Sequence, residues 1–150
     1  TDKDGAFHDY TAAATARRLY EKNLKIPCID VLCDIASEKK AEAAFEEFLK
    51  CVNIASNVNI PYIRVKAEKA VDVDAARNVC IAFIEKALPI ATDKNITVLI
   101  ETSGLFCKTA DLRDVLDQFA CDNLAALWNI SAAYFQGGES AEDIIKNLKT

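Results

Sequence analysis

The sequence has 150 residues, of which 51% are hydrophobic and 27% are charged, and it contains only four Gly and three Pro. This composition is typical of a single globular domain and argues against long disordered segments. The net charge is −5 at pH 7, and the 18 basic residues are scattered along the chain, which argues against nucleic acid or an anionic membrane as a partner.

No apolar run approaches the roughly 20 residues that a membrane-spanning helix needs, and the N-terminal stretch TDKDGAFHDY is polar and has no signal-peptide core. The six cysteines fall mostly in apolar segments and include no C-x-x-C pair, which predicts reduced thiols. We therefore expect a cytoplasmic protein that makes no membrane contact.

The first half of the chain alternates helical and strand patterns. A leading helix is predicted from about Tyr10 to Lys22, and a strand follows in NLKIPCIDV, which begins at Asn23. Ser37 can N-cap a second helix to about Asn57, because apolar residues recur there at helical spacing. The second strand lies in NVNIPYIRV.

The second half continues the alternation. Asp72 or Asp74 begins a third helix, and Pro89 is expected to kink its last turn. A third strand, KNITVLIE, precedes a fourth helix that begins at Thr109. A fourth strand lies in DNLAALWNI, and Ser140 caps the last predicted helix.

An internal repeat links the first two strands. The pattern N-x-x-I-P-x-I-x-V occurs twice, 34 residues apart, and the later strands repeat it more weakly. Such spacing is typical of a repeating supersecondary unit. Strands that alternate with helices predict a parallel α/β sheet with crossover helices, either doubly wound or part of a (β/α)₈ barrel.

Side-chain alternation favours the barrel. Each strand has one apolar face and a second face that carries polar groups, whereas strands of a doubly wound sheet are apolar on both faces. In a barrel the polar face lines the lumen, and four polar residues fall at the C-terminal strand ends where barrel active sites lie: Asp34, Lys66, Glu101 and Asn129. One level deeper, Asp30 and Arg64 are expected to form an ion pair. Lys66 could pair with Glu101, and Trp128 is expected to face the helices.

The length covers only part of a barrel. A complete (β/α)₈ barrel takes roughly 250 residues, and the sequence supplies four strands and begins with Thr rather than Met. We therefore expect residues 1–150 to form one partial barrel domain, about half a barrel, within a longer protein. Because a half barrel leaves two strand edges open, the other half is expected from the longer chain or from another subunit.

Three stretches carry a family resemblance: NIPYIRV, FIEKALPIATDKNITVLIETSG, and the segment that begins TADLRDVLDQF and ends at Lys149. Together they resemble the middle of a xylose isomerase-like TIM barrel, in the sugar phosphate isomerase/epimerase group. The resemblance runs from about Leu24 to Lys149 and corresponds to the third through sixth strands of that barrel.

The resemblance implies a site that binds a small sugar or sugar phosphate. It implies a divalent metal, Mg²⁺, Mn²⁺ or Zn²⁺, and proton transfer next to a sugar carbonyl. Glu101 matches the first metal ligand and is the candidate catalytic carboxylate. Asn129 stands where the family has an Asp ligand, Ala132 where it has a His ligand, and Ser103 where it often has another His. An amide is a weak ligand and Ala is none.

Two functions follow from these residues, and a third alternative is a free-standing α/β binding domain with an open four-stranded sheet. The first is a sugar or sugar-phosphate isomerase or epimerase, impaired in this chain, in which Arg64, Lys66, Asp34 and Asn129 bind substrate. The second is a non-catalytic barrel that binds a carbohydrate-like ligand or a protein. For Arg64, a structural role in the lumen competes with a role as a phosphate clamp, and Glu101 could simply end its strand in solvent.

Overall fold

A computed structural model describes residues 11–148, so the predicted helix start at Tyr10 and the end of the resemblance at Lys149 lie outside the described residues. The elements in chain order are α1 (Ala12–Glu21), β1 (Cys28–Asp30), α2 (Ala41–Val58), β2 (Tyr62–Val65), α3 (Val73–Asp93), β3 (Thr97–Glu101), α4 (Thr109–Phe119), β4 (Leu124–Leu127), α5 (Ile130–Phe135) and α6 (Ala141–Leu148). Short 3₁₀ turns cover Glu38–Lys40 and Gly104–Phe106.

The four strands form one parallel sheet in the order β1-β2-β3-β4. Each crossover joins a strand to its immediate neighbour, and the sheet is always extended at the same edge. Because such crossovers are right-handed, this order places the helices on one side, whereas a doubly wound sheet needs a reversal of order. The sheet is therefore a section of a TIM-barrel wall. Cys28 pairs with Tyr62, so the strand register equals the repeat spacing found in the sequence.

The apolar strand face packs under the helices. Ile63, Val65, Val98 and Ile100 are each at most 1% exposed, as the alternation predicted. The Phe45, Phe48 and Phe83 rings contact one another between α2 and α3, with the Phe48 and Phe83 centroids 5.7 Å apart. This packing fixes the strands rigidly and sends the alternate residues, including Arg64 and Glu101, to the opposite, concave face.

Each of the first four helices is followed by a residue in the left-handed region. These residues are Asn23, Asn59, Asn95 and Ala120, with φ between 42° and 59°. Asn tolerates this conformation because its short polar side chain can bond locally, whereas Ala does so at a cost. The residue lets the chain turn sharply from the helix into the following strand.

Two helix boundaries confirm or correct the predictions. Asp72 caps α3, because its side chain accepts a hydrogen bond from the Ala75 N–H at 3.0 Å. Ser37 was expected to cap α2, which was wrong: Ser37 makes no side-chain capping bond, and α2 begins after a 3₁₀ turn.

Two further features concern the helices. The helix α3 ends at Asp93, four residues beyond Pro89, so Pro89 lies at the last turn as predicted, and the kink there stays a prediction. The short helix α5 was not predicted at all, because six residues are too few to show a helical period.

An apolar groove lies beside the outer edge of β4. Its volume is about 900 Å³, and it is lined by residues of α4, β4 and α6 and of the segments next to β4, which include Leu116, Cys121, Leu124, Trp128, Ile144 and Ile145. Trp128 does lie on the helix side of the sheet, as expected, yet it is 37% exposed. Among residues 11–148, no helix is long and apolar enough to span a membrane.

Candidate functional site

The concave face holds a guanidinium between two carboxylates. Arg64, at the third position of β2, donates from Nη1 to Asp30 Oδ2 at 2.6 Å and from Nε to Glu101 Oε2. Asp30 is its register partner on β1, and Glu101 lies two residues beyond its register partner Leu99 on β3. The predicted pair of Arg64 with Asp30 is confirmed, and the parallel register explains why Glu101 joins it.

Glu101 is the most enclosed member of this cluster. The residue is 6% exposed, so it does not end its strand in solvent. Its Oε2 accepts from Arg64, and its Oε1 accepts from the Asn129 amide nitrogen at 2.6 Å. The two interactions tie β2, β3 and the end of β4 together at the mouth of the sheet.

Asn129 is held from two sides. Its Oδ1 accepts from the Ala132 N–H at 3.0 Å and thereby caps α5, while its Nδ2 donates to Glu101. Its backbone N–H donates to Thr102 Oγ1 at 2.8 Å. Only one orientation of the amide satisfies both side-chain contacts, because a carboxylate oxygen accepts and an N–H donates.

The surroundings keep Glu101 ionised. Burial raises its pKa, but the hydrogen bonds from Asn129 and Arg64 and the positive charge of Arg64 outweigh burial, so the pKa lies below its ordinary value. Burial also lowers the pKa of Arg64, and the contacts with Glu101 and Asp30 more than reverse this. The two carboxylates and the guanidinium together carry one net negative charge.

The other two predicted substrate residues are occupied elsewhere. Lys66 pairs with Glu68 at 2.6 Å, so the expected pair of Lys66 with Glu101 was wrong. Asp34 Oδ1 accepts from the backbone N–H groups of Ala36 and Glu68 at 2.9 and 3.0 Å. Asp34 thus joins the loops after β1 and β2. The roles of these residues in binding substrate stay predictions.

Three residues at this site were missed by sequence reasoning. Thr102 is fully buried and supports Asn129, and Glu68 neutralises Lys66. Gly104 has φ +57°, and a Cβ there would lie 2.1 Å from the Ala67 carbonyl oxygen, so only Gly allows the loops after β2 and β3 to touch. A Gly just after the strand was the one signal that could have indicated this contact.

The residues present do not fit the divalent metal that the resemblance implies. The carbonyl oxygen of Asn129 is committed to α5, and rotating the amide would set its oxygen against the Glu101 carboxylate. Ala132 supplies no ligand. In the part of the chain that the structure describes, no three His, Cys, Asp or Glu side chains are grouped to hold a metal.

Comparison with a family supports the architecture. The sequence model of the family described as xylose isomerase-like TIM barrel matches residues 2–149. Comparison with curated proteins gives no significant match.

Solved structures show the same fold. A D-tagatose 3-epimerase-like protein is similar with a TM-score of 0.81 and 13% identity over 98% of this chain and 60% of its own. A 3-keto-D-glucoside 4-epimerase from E. coli is similar with a TM-score of 0.79 and 11% identity, over 92% of this chain and 60% of its own. A xylose isomerase domain protein from Planctomyces limnophilus is similar with a TM-score of 0.78 and 13% identity, over 92% of this chain and 55% of its own. The chain therefore spans little more than half the length of these structures.

Proposed function

Since this chain belongs to the xylose isomerase-like TIM barrel family, we propose that it forms part of the sugar-binding mouth of an isomerase-like or epimerase-like barrel. In this proposal the concave face binds a small sugar, and Glu101 is the carboxylate nearest the reacting carbon. Proton transfer at that carbon is impaired in this chain.

One observation carries the proposal: an ionised carboxylate is enclosed at the C-terminal end of a barrel strand. Active sites of such barrels lie at that end. A carboxylate can accept about four hydrogen bonds, and the contacts with Arg64, Asn129 and the Ser103 side chain use three of these positions on Glu101. Glu101 can therefore still accept a proton or a sugar hydroxyl.

The same contacts support the impairment. A general base works best when its pKa lies near the working pH. Burial raises the pKa of Glu101, but Asn129 and Arg64 bring it below its ordinary value, which makes Glu101 a weak base. A metal that polarises the carbonyl would offset this weakness, but the described residues do not form such a site.

The charges favour an uncharged sugar over a sugar phosphate. Both cations that the sequence offered as phosphate clamps, Arg64 and Lys66, are paired with carboxylates of this chain. The cluster around Arg64 carries one net negative charge, which repels a phosphate. A role in carbohydrate metabolism and a cytoplasmic location stay predictions.

The rest of the barrel is part of the proposal. The solved structures named above are longer, and the outer edges of β1 and β4 are unpaired in the part of the chain described. We expect further strands to close the barrel, supplied either by a longer chain or by another subunit.

A second candidate is a non-catalytic barrel that binds a carbohydrate-like ligand or a protein. It is favoured by the same pairing, because Arg64 and Asn129 hold both oxygens of Glu101 in a fixed network. Binding without chemistry would then be the whole function.

The test combines binding with proton exchange. The full-length protein is titrated calorimetrically with uncharged ketoses and aldoses and with their phosphates. The same sugars are then incubated with the protein in D₂O, and exchange at the carbon next to the carbonyl is followed by NMR. We expect binding of an uncharged sugar and slow exchange, both reduced at least tenfold in Glu101→Gln.

The exposed helix residue Glu85 provides the control, because Glu85→Gln removes a carboxylate far from the mouth. Binding without exchange in the wild type would establish the second candidate. Binding and exchange that are equal in Glu101→Gln and the wild type would refute both candidates at this site.

A further inference from the structure

We infer that the buried hydroxyl of Thr102 is the positioning group of this mouth: it ends the pairing of β3 with β4 at Asn129 and so holds the Asn129 amide on the Glu101 carboxylate. Thr102 is 0% exposed, so it acts through Asn129 and does not touch a ligand itself. The inference deepens the proposed function, and its consequence for sugar binding rests on that function.

The first step is the place of Thr102 in the sheet. Thr102 directly follows β3 and continues the helix-facing row of Val98 and Ile100. Those two residues are apolar, whereas Thr carries a hydroxyl that is costly to bury unless it is hydrogen-bonded. A hydroxyl in this row therefore needs a partner, and the backbone of Asn129 provides it.

The second step is that this hydroxyl replaces a bond of the sheet. Glu101 lies opposite Leu127, and the Thr102 N–H donates to the Leu127 carbonyl at 3.0 Å. Because the bonds of a parallel ladder are evenly spaced, the next one would run from the Asn129 N–H to the Thr102 carbonyl. The Asn129 N–H donates instead to Thr102 Oγ1 at 2.8 Å, and Oγ1 donates to the Asn129 carbonyl at 3.5 Å. The hydroxyl thus sets the point at which the chain leaves the sheet.

The third step leads from Asn129 to Glu101. While Thr102 holds the Asn129 backbone, the Asn129 Oδ1 accepts from the Ala132 N–H at 3.0 Å and begins α5. These bonds leave the Asn129 Nδ2 at 2.6 Å from Glu101 Oε1. The other oxygen of Glu101 accepts from Arg64. The carboxylate is therefore held at both oxygens, and its remaining lone pairs have fixed directions.

The fourth step is the effect on a ligand. Without the hydroxyl, the Asn129 N–H loses its acceptor and can regain one at the Thr102 carbonyl, which draws Asn129 into the sheet and its amide away from Glu101. The Glu101 carboxylate is then free to turn. Since a misplacement of about 1 Å in a group that acts on a substrate can cost about a hundredfold, we expect sugar binding to weaken about tenfold.

The first arm of the experiment needs no ligand, because it follows the exchange of the Asn129 side-chain amide protons with water by NMR. It uses the full-length wild type, Thr102→Val, which keeps the volume and removes the hydroxyl, and Thr102→Ser, which keeps the hydroxyl. Bonded protons exchange when the bond opens, so we expect exchange at least tenfold faster in Thr102→Val and near the wild-type rate in Thr102→Ser. Asn57 is the internal control, because its exposed amide donates within α2 and its exchange is expected to be equal in all three proteins.

The second arm is calorimetry with D-fructose, a neutral ketose. We expect Kd to rise about tenfold in Thr102→Val and to stay within about twofold of the wild type in Thr102→Ser. The double variant Thr102→Val/Asn129→Ala is expected to bind no more weakly than Asn129→Ala, because both changes act through one amide. If the wild type binds no sugar, the proposed function fails, and the exchange arm still decides the role of Thr102.

Four outcomes would overturn the inference. One is exchange at Asn129 that is as fast as at Asn57 in the wild type, a comparison that holds even if Thr102→Val does not fold. Another is equal exchange at Asn129 in the wild type and Thr102→Val. A third is exchange in folded Thr102→Ser as fast as in Thr102→Val, which would assign the effect to packing of the methyl group. The fourth is wild-type sugar affinity in Thr102→Val despite faster exchange, which would break the link from Asn129 to the ligand.

Discussion

At the scale of single residues, the charge of Glu101 is tied to the stability of the fold. Its carboxylate is nearly buried and bonded to Arg64 and Asn129. Removing the Glu101 carboxylate leaves Arg64 with Asp30 as its remaining partner and leaves the Asn129 amide nitrogen without its acceptor, and such a loss is costly in a partly buried network. Glu101 therefore stabilises the mouth whether or not it acts on a substrate.

We predict that Glu101→Gln lowers the free energy of unfolding by about 2–3 kcal/mol at pH 7. The Gln amide cannot satisfy both Arg64 and Asn129, because both of them donate. Urea unfolding followed by circular dichroism measures the loss. The control is Glu68→Gln, which breaks the more exposed pair with Lys66 and is expected to cost less than about 1 kcal/mol. Equal losses in the two variants would contradict the prediction.

The difference between wild type and Glu101→Gln should depend on pH. Burial raises the pKa of Glu101, but Asn129 and Arg64 bring it below the ordinary value of 4.5. The unfolded chain therefore takes up this proton first, and the stabilisation is present above pH 4.5 and is lost as the pH falls through the folded pKa. Urea unfolding of both proteins between pH 7 and pH 3 is expected to show their difference shrinking below about pH 4.5. A difference that grows on acidification would refute the assigned direction.

At the scale of elements, the turns from helix to strand repeat one device. Three of the four left-handed turn residues are Asn, and the fourth is Ala120, with φ 42°. Ala pays for this conformation because its Cβ crowds the backbone. The turn after α4 is therefore the strained one of the set.

We predict that Ala120→Gly stabilises the protein by about 1 kcal/mol, because Gly adopts this conformation without steric cost. The matched control is Ala110→Gly, at an exposed position within α4, where the same change is expected to destabilise by about 1 kcal/mol. Thermal unfolding of both variants measures the two signs. A loss of stability in Ala120→Gly would contradict the strain argument.

The same scale shows what sequence could predict. The 34-residue repeat predicted a repeating unit, and the register of β1 with β2 has the same 34-residue offset, because equal units stacked side by side pair equivalent residues. The alternation of apolar and polar side chains along the strands predicted which face of the sheet is buried. The contacts at the mouth were only partly predictable, since the partners of Glu101 come from residues 64 and 129 and the choice among nearby charges depends on geometry. Lys66 pairs with Glu68, two residues along the chain, and the periodicity of the sequence does not indicate which carboxylate a lysine will contact.

At the scale of the whole molecule, the groove beside β4 is an exposed apolar surface. It exposes Ile145, which is 53% exposed, and Trp128, next to a strand edge that is unpaired within residues 11–148. Open strand edges and contiguous apolar surface both promote association. In a closed barrel, the next strand and its helix would cover this groove.

We predict that residues 1–150 expressed alone self-associate through this groove, because nothing in the described chain covers it. Ile145→Lys places a charge inside the groove and is expected to shift the protein toward its monomer mass of 16.5 kDa. Val71→Lys is the control, since Val71 is an exposed apolar residue that lies on the loop before α3, away from the groove. Size-exclusion chromatography with light scattering over a range of concentrations measures both.

A wild-type chain that stays monomeric throughout, with no binding of an apolar dye, would show that the half barrel needs no further strands. If Ile145→Lys reduces association and Val71→Lys does not, the contact lies in the groove beside β4, where the next strand of a closed barrel would pack.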